Sequence, residues 1–342
     1  MKTIHNALDQ EREIVAAASR GDQAAFEQLV EPYQHELLVH CYRFLGSYED
    51  AEDLFQETLL RAWRRLDSFE GRSTFRAWLY KIATNACLDA LDNRKRRAQS
   101  VDLYPQGDPQ QPLPAPTREI SWVEPFPETL IDHQPNIYPE ARYEMRESIT
   151  LAFVAALQNL PGRQRAVLLL RDVLGWSTDE VTQILEMTSA AVNSALQRAR
   201  ATMQQHWQRQ PAPLTDALLS SLLTRYVAAW EQADTNALVA LLREDVALTM
   251  PPIPVWFRGH ADIRQFLDGF LFNHSNAFRF HLLPAHASGA PAFGVYQMDA
   301  SGIYRPAALH ILTIDNGQIS QIDDFLNFDE RLFSKFGLPV SG

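Results

Sequence analysis

The sequence predicts a multidomain chain in which two all-α domains precede an α+β domain. Three observations carry this. Residues 22–98 contain a single proline, Pro32, and place apolar side chains at helical spacing. Nine prolines between Pro105 and Pro139 then interrupt the chain before a second helical run that ends near Gln210. Beyond Pro211 and Pro213, helical spacing gives way to short strand-like runs, the order expected of an α+β domain. A length of 342 residues fits two to three domains.

Within the first segment, Ala51, Leu54, Phe55, Thr58, Leu59 and Ala62 form one buried helical face. Glu49, Asp50, Glu52, Asp53, Gln56 and Glu57 form its opposite, acidic side. A loop from Asp67 to Thr74 follows, with Gly71 as its hinge. The next helix buries Phe75, Trp78, Leu79, Ile82, Ala83, Ala86 and Ala90. Its polar side presents Arg76, Lys81, Asn85, Asp89 and Asn93, and it ends in Arg94, Lys95, Arg96 and Arg97. Four consecutive cations exceed what capping a helix needs. Beside an aromatic loop they suit phosphates and exposed bases, as in partly melted DNA.

Residues 101–139 read as a Pro-rich acidic linker, with Trp122, Phe126 and Ile131 as apolar anchors. In the second basic segment a helix over residues 141–160 is stopped by Pro161-Gly162, and another follows to Val173. Ser177-Thr178-Asp179-Glu180 is a capping box that opens a short helix burying Val181, Ile184 and Leu185. Glu186-Met187-Thr188 is a turn, and the helix from Ser189 to Gln208 buries Ala191, Val192, Ala195, Leu196 and Ala199. Two short helices joined by three residues fit a helix-turn-helix, whose second helix enters the major groove. Ser189, Ala190, Asn193, Ser194, Gln197 and Arg198 lie on its exposed side. Asn and Gln can read adenine there, and Arg guanine.

In the third segment Leu218–Gln232, Asn236–Leu242 and Ala261–Phe272 read as helices. Val246–Met250, Phe278–Leu283, Ala292–Met298, Ala307–Ile314 and Ile319–Phe325 read as strands of an antiparallel sheet. Asn316-Gly317 is a hairpin turn between the last two.

Charge adds to this division. The net charge is −11, which excludes a protein that coats nucleic acid over its whole surface. Yet residues 61–97 are net +6 and residues 149–210 net +2, whereas residues 100–148 are −6 and residues 211–342 are −5. The excess acid therefore lies in the linker and the third domain, which could restrain the basic faces. Two cysteines, Cys41 and Cys87, make no disulfide framework and no zinc pattern, so neither metal nor cofactor is expected. No apolar run approaches ~20 residues, and the N-terminus lacks a signal-peptide pattern. A cytoplasmic protein without a membrane partner is expected.

The stretch DAEDLFQETLLRAWRRLDSFEGRSTFRAWLYKIATNACLDALDNRKRR resembles region 2 of the extracytoplasmic-function group of sigma-70-type RNA polymerase factors. LPGRQRAVLLLRDVLGWSTDEVTQIL followed by AAVNSALQRARA resembles region 4 of the same family, with Glu186 at the usual turn glycine. Asn193 and Ala195 stand where the family often has Lys and Arg. LLTRYVAAWEQADTNALVALLREDVALTMPP, FRGHADIRQFL and QISQIDDFLN are similar to the SnoaL-like group of the NTF2-like cone-shaped α+β fold. WVEPFP, residues 122–127, resembles the linker element of factors carrying such a fused domain.

The resemblance implies core RNA polymerase (β′ clamp and β flap) and promoter DNA as partners. It implies that Asp53, Gln56 and Glu57 face the polymerase. Phe69, Arg72, Ser73 and Phe75 would lie in the loop that captures a flipped minus-10 base. Asn85 and Asp89 would read that element, and Arg94, Lys95, Arg96 and Arg97 would hold its backbone. The helix-turn-helix residues named above would meet the minus-35 element. The fused domain would regulate, with a small-molecule or intramolecular ligand, and Trp230, Met250, Trp256, His310 and Asp323 are its candidate pocket residues. Phe257, His260 and Phe325 are candidates beside them.

Two rival functions use the same parts. A one-component regulator would bind duplex DNA alone through the helix-turn-helix and sense a ligand. An enzyme would act through a general base such as Asp323. The acidic stripe from Asp53 to Glu57 and the aromatic loop from Phe69 to Phe75 argue against the first, since neither serves duplex binding.

Overall fold

The structure is a computed structural model that describes residues 13–92, 97–117, 121–129, 145–207, 215–272, 279–326 and 331–340. It divides into two compact units. The described residues before Arg97 and those of Ala152–Trp207 form the first; those of Arg97–Leu151 and from Thr215 onward form the second. The described residues of the expected linker, with its apolar anchors Trp122 and Phe126, thus belong to the C-terminal unit, while Ile131 lies outside the described residues.

The first unit is all helical: α1 Gln23–Val30, α2 Gln34–Leu45, α3 Tyr48–Arg65, α4 Phe75–Asp92, α5 Leu151–Leu157, α6 Gly162–Leu168, α7 Thr178–Leu185 and α8 Ser189–His206. α5 is shorter than the helix expected over residues 141–160, of which 141–144 lie outside the described residues. A wider π turn, Leu169–Val173, continues α6. Ser47 caps α3 by accepting from Asp50 N, and Glu49 and Asp50 at its start and Arg64 and Arg65 at its end complement the helix dipole. Ser177 and Glu180 form the expected reciprocal capping box of α7.

The second unit is built on a six-stranded sheet in the order β2-β1-β6-β5-β4-β3. The strands are β1 Leu242–Thr249, β2 Trp256–Arg258, β3 Phe280–Ala287, β4 Ala290–Met298, β5 Tyr304–Asp315 and β6 Gln318–Leu326. The sheet is mixed rather than antiparallel throughout, because β1 runs parallel to β6. Asn316 and Gly317, at φ 50 and 82, make the β5–β6 turn, the left-handed pair such a two-residue hairpin requires. Side chains alternate across each strand. The inner face, with Leu248, Phe293, Val295, Ala308, Leu312 and Ile322, buries Leu222, Tyr226 and Trp230 of α9 (Asp216–Glu231), Leu238 of α10 (Thr235–Val239), and Ile263 and Phe266 of α11 (Gly259–Phe266). The outer face is covered near Gly294 by Phe333, in α12 (Arg331–Lys335), and by Leu338.

The described part of the proline-rich segment, residues 101–117 and 121–129, is held to this sheet unit at several points. Gly107 N donates to Trp256 O (2.9 Å), and Thr117 N to Pro252 O (3.1 Å). Trp256 Nε1 donates to Tyr104 O (2.8 Å). Phe126 is fully buried, and its N and O bond the side chain and backbone of Ser288 at 2.9 Å each. Burying one such ring stabilises by about 1.5–3 kcal/mol. Proline suits this role because a strap needs no ladder of donors.

Candidate nucleic-acid interface

The first unit brings most of the expected DNA-facing side chains to its surface. On α3, Ala51, Leu54, Phe55, Thr58 and Ala62 are buried, which turns Glu52, Asp53 and Gln56 outward. Glu57 is half-buried and receives Arg61 Nε at 2.8 Å; Arg61 also reaches Asp89 on α4 at 3.1 Å. Asp53 and Gln56 therefore stand open while Glu57 and Asp89 share one cation.

The loop before α4 is supported by an aromatic trio. Phe69, Phe75 and Trp78 have ring centroids 5.5–5.6 Å apart. Phe75 is not in the loop: it begins α4 and is buried, so it holds the loop from beneath. Phe69 is half-buried, whereas Arg72, which pairs with Glu70, and Ser73 are exposed. Gly71 (φ +69) has open space around it. Thr74 caps α4 by accepting from Ala77 N at 3.2 Å. Along α4, Asn85 and Asp89 are exposed one turn apart. Arg94, Lys95 and Arg96 lie outside the described residues. Arg97 is engaged within the second unit, donating to Trp122 O at 2.7 Å and to Glu124 at 2.9 Å.

The helix-turn-helix forms as expected. Thr188 caps α8 by accepting from Ala191 N, and Val192, Ala195, Leu196 and Ala199 are buried, with Ala191 half-buried. Ser189, Ala190, Asn193, Ser194, Gln197 and Arg198 are all exposed on one side. Arg198 donates to Ser194 at 2.6 Å, which orients the guanidinium along the helix. Arg200 makes a two-point ion pair with Asp172, at 2.8 and 2.7 Å, fixing α8 on the preceding turn.

Sequence reasoning did not foresee how the two helical segments meet. Trp176, buried just before α7, lies 5.1 Å from the Tyr80 ring, and Arg76 lies over both rings. Glu36 holds Arg76 at 2.6 Å and accepts from the Tyr80 hydroxyl at 3.1 Å. Burial, aided by the Glu36 charge, pushes the Tyr80 phenol far up, so it stays a donor. Arg165 of α6 is buried and donates to the Phe44 carbonyl, to Gln158 at 3.0 Å and to Leu160 O at 3.2 Å. Lys81 Nζ lies 2.9 Å from Glu186 Oε1. The only hint in the sequence was the acid at the turn-glycine position.

In the second unit, the candidate pocket residues separate by face. Trp230, Met250 and Phe257 lie in the inner apolar cluster, and His310 stands beside Trp230 with ring centroids 4.6 Å apart. Asp323 points the other way. It pairs in register with Ile311 and accepts from Thr249 Oγ1 at 2.7 Å, on the outer side where Trp256 bonds Tyr104. Burial raises its pKa, against the bonds from Gln321 and Thr249. The carboxylate on the inner face is Asp324, opposite His310, which strand alternation alone could have indicated. His260 is half-buried and bonds Leu242 O, and Phe325 sits on the outer face.

Comparison with known proteins agrees with both units. Residues 29–97 match Sigma-70 region 2, residues 150–203 match Sigma-70 region 4, and residues 223–322 match the SnoaL-like domain. The ECF RNA polymerase sigma factor SigG of Mycobacterium tuberculosis is 43% identical over 327 residues, covering 94% of this chain and 85% of that protein. The chain belongs to the ECF sigma factors of RNA polymerase. The ECF sigma-E factor of Escherichia coli is 31% identical over 187 residues, 55% of this chain and 88% of that one. A sigma factor thus occupies the first two matches, and the SnoaL-like domain is an addition to it. The crystal structure of the M. tuberculosis ECF sigma factor SigJ has the same fold along the chain. It has a TM-score of 0.54 at 23% identity and covers 91% of this chain and 99% of that one. This sigma factor directs promoter-specific initiation of transcription, and none of its described helices is long and apolar enough to cross a membrane.

Proposed function

We propose that initiation is divided among three exposed surfaces of the helical unit. The acidic side of α3, led by Asp53 and Gln56, binds the β′ clamp of core polymerase, and the helix-turn-helix domain meets the β flap. Arg72 and Ser73, on the loop carried by the aromatic trio, capture a flipped minus-10 base beside Asn85. The exposed side of α8 reads the minus-35 element through Asn193, Gln197 and Arg198. The observation that carries this is the loop. An exposed Arg-Ser pair on a packed aromatic base, at the start of the helix that carries the exposed Asn85 nearly three turns on, suits an unpaired base and not a duplex.

The fused domain is read as a regulator that performs no covalent chemistry. Its contacts with Gly107, Thr117 and Phe126 support this, because these residues belong to the stretch of chain that connects the two promoter-reading domains. A ligand of its inner face is a further part of the reading.

The test is transcription in vitro. The full chain is mixed with core polymerase and a promoter library, and the 5′ ends of transcripts are sequenced. Start-site-specific transcripts that vanish on Arg72→Ala with Asn85→Ala are expected. Tight duplex binding without polymerase and no specific initiation would instead support a one-component regulator.

A further inference from the structure

We propose that Glu186 is an internal stand-in for a DNA phosphate, occupying Lys81 until promoter DNA displaces it. This rests on the reading of α4 as the minus-10 helix.

Three observations converge. The first is backbone conformation. Glu186 closes α7 in the left-handed region, at φ 53 and ψ 45, which glycine adopts without strain and a glutamate does not. The turn itself therefore gives no reason for an acid. The second is the partner: the carboxylate of Glu186 meets the ammonium of Lys81 at 2.9 Å, across 105 positions of sequence. The third is where that ammonium sits. Lys81 precedes the exposed Asn85 by one helical turn on α4. A nucleic-acid strand whose bases meet Asn85 would bring its backbone past Lys81.

The contact is also built to be displaced. The packing of the two helical segments is carried by Trp176 against Tyr80, with Arg76 over both rings, and by buried Arg165, which salt barely touches. The Glu186–Lys81 pair is exposed instead, with side chains 77% and 38% accessible, so it is screened by salt and easily exchanged. A lysine already neutralised by a carboxylate releases fewer counterions when DNA binds. The acid thus lowers the affinity of the free factor for stray single strands.

Binding of a fluorescent 20-nucleotide single-stranded DNA to the full chain, without polymerase and across a salt series, tests this. Glu186→Gln and Glu186→Gly should both bind about 2–5-fold tighter at low salt. Their log K against log salt should steepen by about 0.7, the value of one added phosphate contact on a single strand. Lys81→Gln alone should change little, and in a Lys81→Gln background the Glu186 substitutions should have no effect. Asp179→Asn, at another exposed acid of the same segment, controls for net charge. An unchanged slope in Glu186→Gln, or an equal gain with Lys81 absent or in Asp179→Asn, overturns the proposal. Initiation by the same variants with core polymerase is scored separately. A factor that initiates normally yet shows no Glu186 effect refutes the stand-in alone, whereas no specific initiation by the unmodified chain refutes the underlying reading.

Discussion

The Tyr226 hydroxyl lies 2.8 Å from Nδ1 of His310, and both side chains are sealed from solvent. Burial and the nearby Asp324 charge hold the tyrosine pKa well above its ordinary value, so the hydroxyl keeps its proton and donates. Nε2 of His310 faces Asp324 Oδ1 at 3.4 Å. Helix α9 is thereby tied to β5 by a hydrogen bond crossing an apolar interior, with the Asp324 carboxylate of β6 close by. Groups so buried cost free energy whenever one member is removed.

Tyr226→Phe should therefore destabilise the C-terminal unit by about 1–3 kcal/mol, because His310 Nδ1 loses its donor. His310→Leu alone should cost a similar amount, and the Tyr226→Phe, His310→Leu pair less than the sum of the two. Urea unfolding followed by hydrogen exchange in α9 and β5 measures all three. Strict additivity would mean that the two residues do not act as a pair.

Acid should loosen the helical unit through His40. This imidazole is fully buried, bonds Thr84 Oγ1 at 3.0 Å, and has its pKa lowered to about 3, by burial first and then by Arg43 and Arg76. The folded unit keeps it neutral, whereas the unfolded chain takes up a proton below pH ~6.5. Stability is thus intact above pH ~6.5 and falls as pH drops toward 3, by about 3 kcal/mol at pH 4.5. His40→Gln should flatten that part of the profile, measured as denaturation midpoints between pH 7 and 4.5.

Much of this was legible in the sequence, for physical reasons that differ by residue. The Ser177–Glu180 capping box, the Asn316-Gly317 turn and the exposed side of α8 are local, set by spacing and turn chemistry over a few residues. Three features are not local. The parallel pairing of β1 with β6 joins strands some 75 positions apart, as shown by Leu248 opposite Ile322. Asp323 drew attention as the carboxylate, but a one-residue shift in a strand reverses the face, and Asp324 is the one beside His310. In the linker the sequence marks Trp122 and Phe126 as anchors, but composition cannot reveal that Tyr104, Gly107 and Phe126 each have their partner on the sheet.

That strap can be unseated at one residue. A Cβ on Gly107 would lie 2.4 Å from Val255 Cγ2 and 3.1 Å from the Phe257 ring, too close for either to yield without movement. Gly107→Val should free the segment around Tyr104 from Trp256 while leaving the helical unit folded. Exchange of the Gly107 neighbourhood should rise, and promoter output with core polymerase should change by about threefold or more. Unaltered output with confirmed release would remove the strap from the regulatory reading.

Asp53 offers the cleanest separation of polymerase binding from folding. Its side chain is exposed on α3, and the buried Ala51, Leu54 and Phe55 hold it outward. An exposed carboxylate away from caps and core contributes little to stability, so Asp53→Lys should change the free energy of unfolding by no more than about 0.5 kcal/mol. At a protein interface the same reversal sets like charges against each other and costs several kcal/mol. Affinity for core polymerase should fall at least about tenfold, and specific transcripts should fall with it. Binding of single-stranded DNA by the free chain should persist, because α4 and α8 are untouched. Wild-type affinity for core polymerase in Asp53→Lys would move the polymerase contact off this side of α3.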